Sequence, residues 1–156
     1  MSYYVIDAFT ETKFGGNPAG VVIHENLDEE FMQKFAEEVR FSETAFIKKI
    51  DSKNFDIKFF TPTAQVDLCG HATIASFQAL LDSGAIEDNN TYFMKTLAGT
   101  LAVEVNQSFI MMEQAEPQLG KIFDDYNSLS DLFKIDKCQI GDINYNLVPQ
   151  AASTGL

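Results

Sequence analysis

The segment Asp67–Thr73 combines a thiol, a glycine and an imidazole at the predicted start of a helix. The first N–H groups of a helix lack internal partners, and the helix dipole adds partial positive charge there. Gly70 lets a ligand approach the backbone closely, so the segment could hold a substrate carboxylate. His71 could move a proton or donate to the bound anion, and we expect the dipole to lower the pKa of the Cys69 thiol.

A structural interpretation of the same segment is also open. Gly70 then only permits a tight turn, His71 bonds to a neighbouring carbonyl group, and Cys69 fills the core. Short motifs produce many false matches, so the segment taken alone favours this interpretation.

Glu43 is a carboxylate inside Ser42–Phe46, which otherwise resembles a strand. If its side chain points inward, desolvation raises the pKa toward the range of a general acid or base. If it points outward, it is one solvated acid among 23, which the residues alone favour. Asn17, in the turn segment Phe14–Gly20, could contact a ligand, although turn chemistry alone explains it.

Motifs for nucleotide and metal binding are missing from the sequence. No G-x-G-x-x-G follows a predicted strand, and there is no P-loop. The two histidines, His24 and His71, show no metal-ligand spacing. The sequence therefore predicts catalysis without a metal or an organic cofactor.

Composition restricts the partners and the compartment. The chain has 156 residues and a net charge of −12, which argues against nucleic acid and anionic membranes as partners. The N-terminal residues do not resemble a signal peptide, and no apolar stretch is long enough to span a bilayer. Because two cysteines cannot make a disulfide framework, we expect a reducing, cytoplasmic setting.

Local patterns predict an α+β fold. Asp28 is a good N-cap for an amphipathic helix over Leu27–Arg40, and Leu27 with Met32 has the spacing of a hydrophobic staple. The helix after Gly70 is apolar on nearly every face and ends before Gly84, so it should be buried among strands. A weaker helix is predicted over Phe123–Ile135. Strands are predicted over Tyr3–Phe9, Ala19–His24, Phe41–Ile50, Asn54–Phe60, Thr91–Leu97, Leu101–Val105 and Phe109–Glu113. Turns are predicted at Phe14–Pro18, Ala98–Thr100 and Asn106–Ser108, and a loop at Pro117–Gly120.

The three motifs occur in a fixed order that resembles the N-terminal half of the PhzF family of phenazine biosynthesis, whose members are relatives of diaminopimelate epimerase. They are Gly16–Gly20, Ser42–Phe46 and Asp67–Thr73. Phe59–Pro62 and the terminal Ala152–Leu156 also fit the family. Each motif alone is modest, but the ordered set spans nearly the whole chain.

The resemblance implies a mixed sheet curled into a barrel around a central helix, with the active site between two similar halves. It also implies a cofactor-independent isomerase that moves a proton at a carbon of a small carboxylate-bearing metabolite. By residue match, Glu43 is the general acid/base, and Gly70 and His71 hold the carboxylate, with His71 also counted as catalytic. The other substrate-binding candidates are Asn17, Asp67, Cys69, Ala72 and Thr73.

Cys69 matches the position of one of two catalytic thiols in the epimerase relatives. Cys138 does not fit the motif of the second thiol, so the resemblance leaves Cys69 a secondary role. A Cys69–His71 thiol enzyme is a weaker hypothesis, because neighbours at a helix start rarely let the imidazole reach the thiol.

Family members are about twice as long as this chain, so residues 1–156 are expected to be one half-domain whose second half is absent. We expect the chain to form a homodimer or to pair with a C-terminal half, and to have little activity alone. The alternative is a non-catalytic half-domain that binds a partner chain or a metabolite.

Overall fold

The computed structural model describes residues 1–106, 109–114, 116–141 and 147–154. They belong to two compact units, Met1–Gln114 and Ala115–Leu156. The last two residues of the turn predicted over 106–108 and the last two of the terminal motif, 155–156, lie outside the described residues.

The first unit is built from eight strands and two helices among its described residues. The strands are β1 (Ser2–Ala8), β2 (Asn17–His24), β3 (Thr44–Lys49), β4 (Asn54–Phe60), β5 (Gln65–Val66), β6 (Asn90–Thr96), β7 (Gly99–Asn106) and β8 (Phe109–Met112). The helices are α1 (Glu29–Val39) and α2 (Gly70–Asp82).

The strands form one mixed sheet in the order β1-β2-β3-β4-β6-β7-β8, with β5 attached to β4. The β2–β3 and β4–β6 pairs are parallel, and the other pairs are antiparallel. Helix α2 packs against β1, β2 and β3 at one end of this order and against β8 at the other. The sheet therefore curls around α2 as a half-barrel, and the predicted α+β fold is confirmed.

Helix α2 is buried because its residues offer no polar face. Seven of its side chains are buried, and they include Phe77 and Leu80. Phe77 makes aromatic contacts with Phe55 and Tyr92 from the surrounding sheet. The helix ends as predicted, with Gly84 at a φ of 70° directly after the capping residue.

Side chains that alternate between the two faces of the sheet form two separate hydrophobic cores. In β4, Phe55, Ile57 and Phe59 point toward α2, as the pattern predicts. Phe46 and Phe60 belong to a second core on the other face of the sheet, which α1 covers. The predicted capping of α1 is confirmed, because the Asp28 carboxylate accepts a hydrogen bond from the Phe31 N–H at 2.8 Å.

Two predicted strand limits are wrong at residues that matter for the site. Strand β3 begins at Thr44 and not at Phe41, because its ladder with β2 begins at the Gly20–Thr44 pair, so Glu43 precedes the strand. Strand β2 begins at Asn17 and not at Ala19, because Asn17 pairs with Ala8 of β1.

The second unit contains β9 (Gln118–Ile122), α3 (Tyr126–Phe133), a 3₁₀ turn (Lys137–Gln139) and β10 (Gln150–Ser153). The loop predicted at Pro117–Gly120 is wrong for its last three residues, because they belong to β9, which pairs antiparallel with the distant β10. None of the described residues of this unit is buried. Among all described residues, no helix is both long and apolar enough to cross a membrane.

Candidate active site

The site begins at the N-terminus of α2. Cys69 is the N-cap residue, in an extended conformation, and its carbonyl oxygen accepts from both the Thr73 N–H at 2.9 Å and the Thr73 hydroxyl at 2.8 Å. Thr73 is fully buried, and its hydroxyl also lies 3.7 Å from the Met94 Sδ atom of β6. The N–H groups of Gly70, His71 and Ala72 precede the first internal bond, so this end can receive an anion.

Gly70 leaves the backbone open at this end. It is exposed, and a Cβ atom built on it would meet its nearest heavy atom, Met112 Cε, only at 4.0 Å. The substrate carboxylate assigned to this position by the resemblance would therefore meet no side chain of residue 70 itself.

Glu43 is brought to α2 by the parallel pairing of β2 and β3. The Gly20 N–H donates to the Glu43 carbonyl oxygen at 3.3 Å, directly before the ladder begins at Thr44. A Cβ atom at Gly20 would lie 2.9 Å from Thr44 Oγ1, so only glycine permits this close approach. The glycine of the first motif thus positions the carboxylate of the second.

The side chains of Glu43, Cys69 and His71 form one cluster, which we call the acid–imidazole–thiol cluster. His71 Nε2 lies 3.5 Å from Glu43 Oε2, and His71 Nδ1 lies 3.2 Å from Cys69 Sγ. The imidazole therefore contacts both the carboxylate and the thiol, and the carboxylate also acts directly on the thiol. The side chains of His71 and Glu43 are 11% and 23% exposed, so Glu43 is neither fully inward nor fully outward.

Two expectations about Cys69 are wrong. Burial raises the pKa of the Cys69 thiol to about 11, with a further increase from the Glu43 carboxylate, against the opposing effect of the Ala72 and His71 N–H groups. The expected lowering by the helix start is thus outweighed. The imidazole also reaches the thiol, since only 3.2 Å separates His71 Nδ1 from Cys69 Sγ.

Ser42 is a site residue that the sequence did not single out. Its hydroxyl oxygen lies 3.5 Å from His71 Nε2, beside the contact of Glu43 with the same nitrogen. Only its place next to Glu43 in the motif could have indicated this. The candidates Asn17 and Asp67 are both exposed, Asn17 at the start of β2 and Asp67 shortly before α2.

A separate cleft of about 490 Å³ opens between the two edges of the half-barrel. It is lined by the end of β1, by Phe9–Glu11, by Ile74 and Gln78 of α2, and by Phe109 and Ile110 of β8. Because β1 and β8 are the terminal strands of the sheet order, this cleft lies where the barrel does not close.

Comparisons with known proteins agree with this architecture. The family model described as "Phenazine biosynthesis-like protein" matches residues 6–156. A Bacillus subtilis protein named Uncharacterized isomerase YfhB is 40% identical over 83% of this chain and 46% of its own length. An uncharacterized isomerase of Clostridium acetobutylicum is 39% identical over 97% of the chain and 52% of its own length.

A crystal structure of a PhzF-family phenazine biosynthesis protein from Bacillus anthracis superposes with a TM-score of 0.80 at 33% identity, covering 99% of this chain and 54% of that one. The chain thus spans about half the length of the curated relatives it matches. The sequence motifs, the half-barrel around α2 and these matches lead to one conclusion. The chain belongs to the PhzC-PhzF family of phenazine biosynthesis-like proteins, whose relatives include named isomerases.

Proposed function

We propose that this chain carries half of the active site of a cofactor-independent isomerase of small carboxylic acids. The enzyme would move a proton from one carbon atom to another, or from one face of a carbon atom to its other face. The observation that supports this most directly is the position of Glu43. A half-buried carboxylate lies beside an imidazole and at the open N-terminus of a buried helix. Such a place suits a base that removes a proton next to a bound carboxylate.

In this proposal Glu43 takes the proton from carbon and returns it at another position. Deprotonation develops negative charge on the substrate, and donors already in place at the helix start stabilise that charge without rearrangement. The backbone amides from Gly70 to Ala72 are those donors, and a bound anion would take the His71 and Ala72 amides over from the Cys69 thiol. His71 also contacts Glu43 and so holds the carboxylate in place.

The helix start also explains how a chain with a net charge of −12 can bind an anion. Electrostatic fields of distant surface charges are screened within about 8–10 Å at physiological salt. Partial positive charge from the first turn of α2 acts at contact distance and in a partly buried place. The local donors therefore dominate over the overall charge.

We expect the chain alone to turn over slowly. Because it spans about half the length of its curated relatives, we expect it to supply only one side of the active site. A substrate held by one wall remains largely in water, where each electrostatic contact is weaker than in a closed site.

The test is exchange of carbon-bound hydrogen for deuterium in D₂O, followed by NMR over a panel of small carboxylic acids. We expect exchange to fall by about 10²–10⁴-fold in Glu43→Gln, the usual contribution of a general acid or base. Glu38→Gln, on the exposed face of α1, is the matched control and should leave exchange unchanged. Exchange that is measurable and equal in the Glu43→Gln variant and the unchanged chain would refute the role of Glu43.

Binding without turnover is the second candidate function. It is favoured by the cleft between β1 and β8, which offers apolar side chains such as Ile74 and Phe109 away from Glu43. A protein that binds carboxylates or a partner chain, yet exchanges no hydrogen even in a form carrying both halves, would support this candidate and exclude the isomerase.

A further inference from the structure

The acid–imidazole–thiol cluster contains three kinds of donor atom that zinc prefers. A thiolate sulfur, an imidazole nitrogen and a carboxylate oxygen are its usual protein ligands. Sequence spacing did not indicate a metal site, because Glu43 comes from the segment before β3 and the other two residues from the start of α2. The fold brings one donor atom from each residue within 4.8 Å of the other two.

The distances are close to those of a tetrahedral zinc site. Zn–S and Zn–N bonds of about 2.3 and 2.1 Å place the two donor atoms about 3.6 Å apart. Cys69 Sγ and His71 Nδ1 lie 3.2 Å apart, so they need to separate by only a few tenths of an ångström. Glu43 is the most exposed of the three side chains and can rotate to bring an oxygen to the same ion.

The charge of the donors also fits the ion. Once the thiol has released its proton to solvent, Cys69 and Glu43 carry two negative charges, which balance Zn²⁺. The start of α2 opposes a bare cation. Binding therefore depends on the thiolate, and the Cys69 ligand should matter most.

We propose that Glu43, Cys69 and His71 form a Zn²⁺ site with three protein ligands and one open position, and that bound zinc inhibits the protein. Three protein ligands with a free fourth position is the arrangement of reactive zinc sites, in contrast to closed structural ones. The inhibitory part rests on the proposed function, because zinc would occupy the lone pair with which Glu43 removes the proton. The binding part stands independently of it.

Zinc binding can be measured directly on the chain by competition with a chromophoric chelator under a phosphine reductant. We expect one zinc ion per chain. Changing Cys69 to Ser should weaken zinc binding by more than about 10–100-fold, which is the typical effect of losing a residue that only orients a metal ligand. Cys138→Ser is the matched control, since Cys138 is an exposed thiol far along the sequence in the second unit, and it should bind zinc normally.

The absorption spectrum of bound Co²⁺ provides a second measurement, which does not depend on the zinc affinity. Co²⁺ should give a thiolate charge-transfer band in the unchanged chain and in Cys138→Ser, and no such band in Cys69→Ser. If Cys69→Ser fails to fold, Glu43→Gln tests the same site, because its partly exposed side chain is not part of the core. The proposal would be overturned if the unchanged chain bound no zinc. It would also be overturned if Cys69→Ser bound zinc as tightly as the unchanged chain, or if Cys138→Ser no longer bound it.

The two proposals fail in different ways. If zinc does not bind while Glu43→Gln still abolishes hydrogen exchange, only the zinc site is wrong. If zinc binds through Cys69 while exchange is the same with and without Glu43, only the isomerase mechanism is wrong. If both hold, added Zn²⁺ should suppress exchange, and removing it with a chelator should restore exchange.

Discussion

At Cys69, two physical effects act on one thiol in opposite directions. The N-terminus of α2 favours a thiolate, and the burial of the side chain favours the neutral thiol. Burial is the larger effect, and the pKa rises to about 11. The resting cluster therefore pairs a neutral thiol with the imidazole, so Glu43 is the stronger candidate for a base at neutral pH.

This balance predicts low reactivity for Cys69 toward iodoacetamide. A thiol with a pKa of about 11 has on the order of a few hundredfold less thiolate at neutral pH than a free cysteine. At pH 7.5 we expect alkylation at the exposed Cys138 and very little at Cys69, as measured by peptide mass spectrometry.

Alkylation at high pH and in the denatured chain tests the same assignment. Alkylation of Cys69 should increase steeply as the pH approaches 11, and it should equal that of Cys138 once the chain is denatured in urea. Rapid modification of Cys69 in the folded chain at pH 7.5 would contradict the assignment of a neutral, shielded thiol and would revive the thiol-enzyme hypothesis.

At the scale of elements, the sequence predicted those features of helices and strands that depend on residues close together in the chain. The cap at Asp28, the alternation in β4 and the apolar surface of α2 each depend on residues close in the chain, and each was confirmed. The contact between Glu43 and His71 depends on the parallel register of β2 with β3 and on where the chain enters α2. No local pattern encodes that register, so only the family resemblance brought these residues together.

Features that depend on distant parts of the chain are the ones predicted wrongly. Strand β9 is exposed along its whole length, so it has no apolar alternation to reveal it, and its partner β10 lies far along the chain. The raised pKa of Cys69 required knowledge of its burial, which follows from how the sheet curls around α2. Both features come from tertiary contacts that a short window of sequence does not contain.

Two glycines in the motifs have different roles, which substitution can separate. A Cβ atom at Gly16 would lie 2.3 Å from the Ala8 carbonyl oxygen, whereas one at Gly70 meets nothing closer than 4.0 Å. We expect Gly16→Ala to lower the free energy of unfolding by about 1–3 kcal/mol, the usual cost of overpacking. Gly70→Ala should leave it unchanged or raise it slightly, because alanine favours a helix.

Urea unfolding followed by circular dichroism measures both variants. The m-value should stay constant, so that the midpoint alone reports stability. If Gly16→Ala were as stable as the unchanged chain, the backbone near Ala8 would have room that the structure does not show. A large loss in Gly70→Ala would mean that Gly70 is needed for folding and not for ligand approach.

At the scale of the whole molecule, the buried core is confined to one part of the chain. Every buried hydrophobic residue described lies between Ala8 and Val105, and the described residues from 116 onward are all at least partly exposed. Both cores, on the two faces of the sheet, are therefore built within the first unit. Burial of apolar surface is the main favourable contribution to folding, so the first unit contains most of the stabilising energy of the described chain.

This distribution predicts that residues 1–114 fold without the second unit. We expect a fragment ending at Gln114 to show cooperative thermal unfolding and the near-ultraviolet signal of packed aromatics such as Phe55, Phe77 and Tyr92. Phe77→Ala is the control for genuine packing, since loss of a buried phenylalanine should lower stability by about 3–5 kcal/mol. A fragment that melts without cooperativity would show that the second unit contributes to the core, in spite of its exposed residues. A fragment that folds and still binds zinc through Cys69 would place both the fold and the acid–imidazole–thiol cluster within the first unit alone.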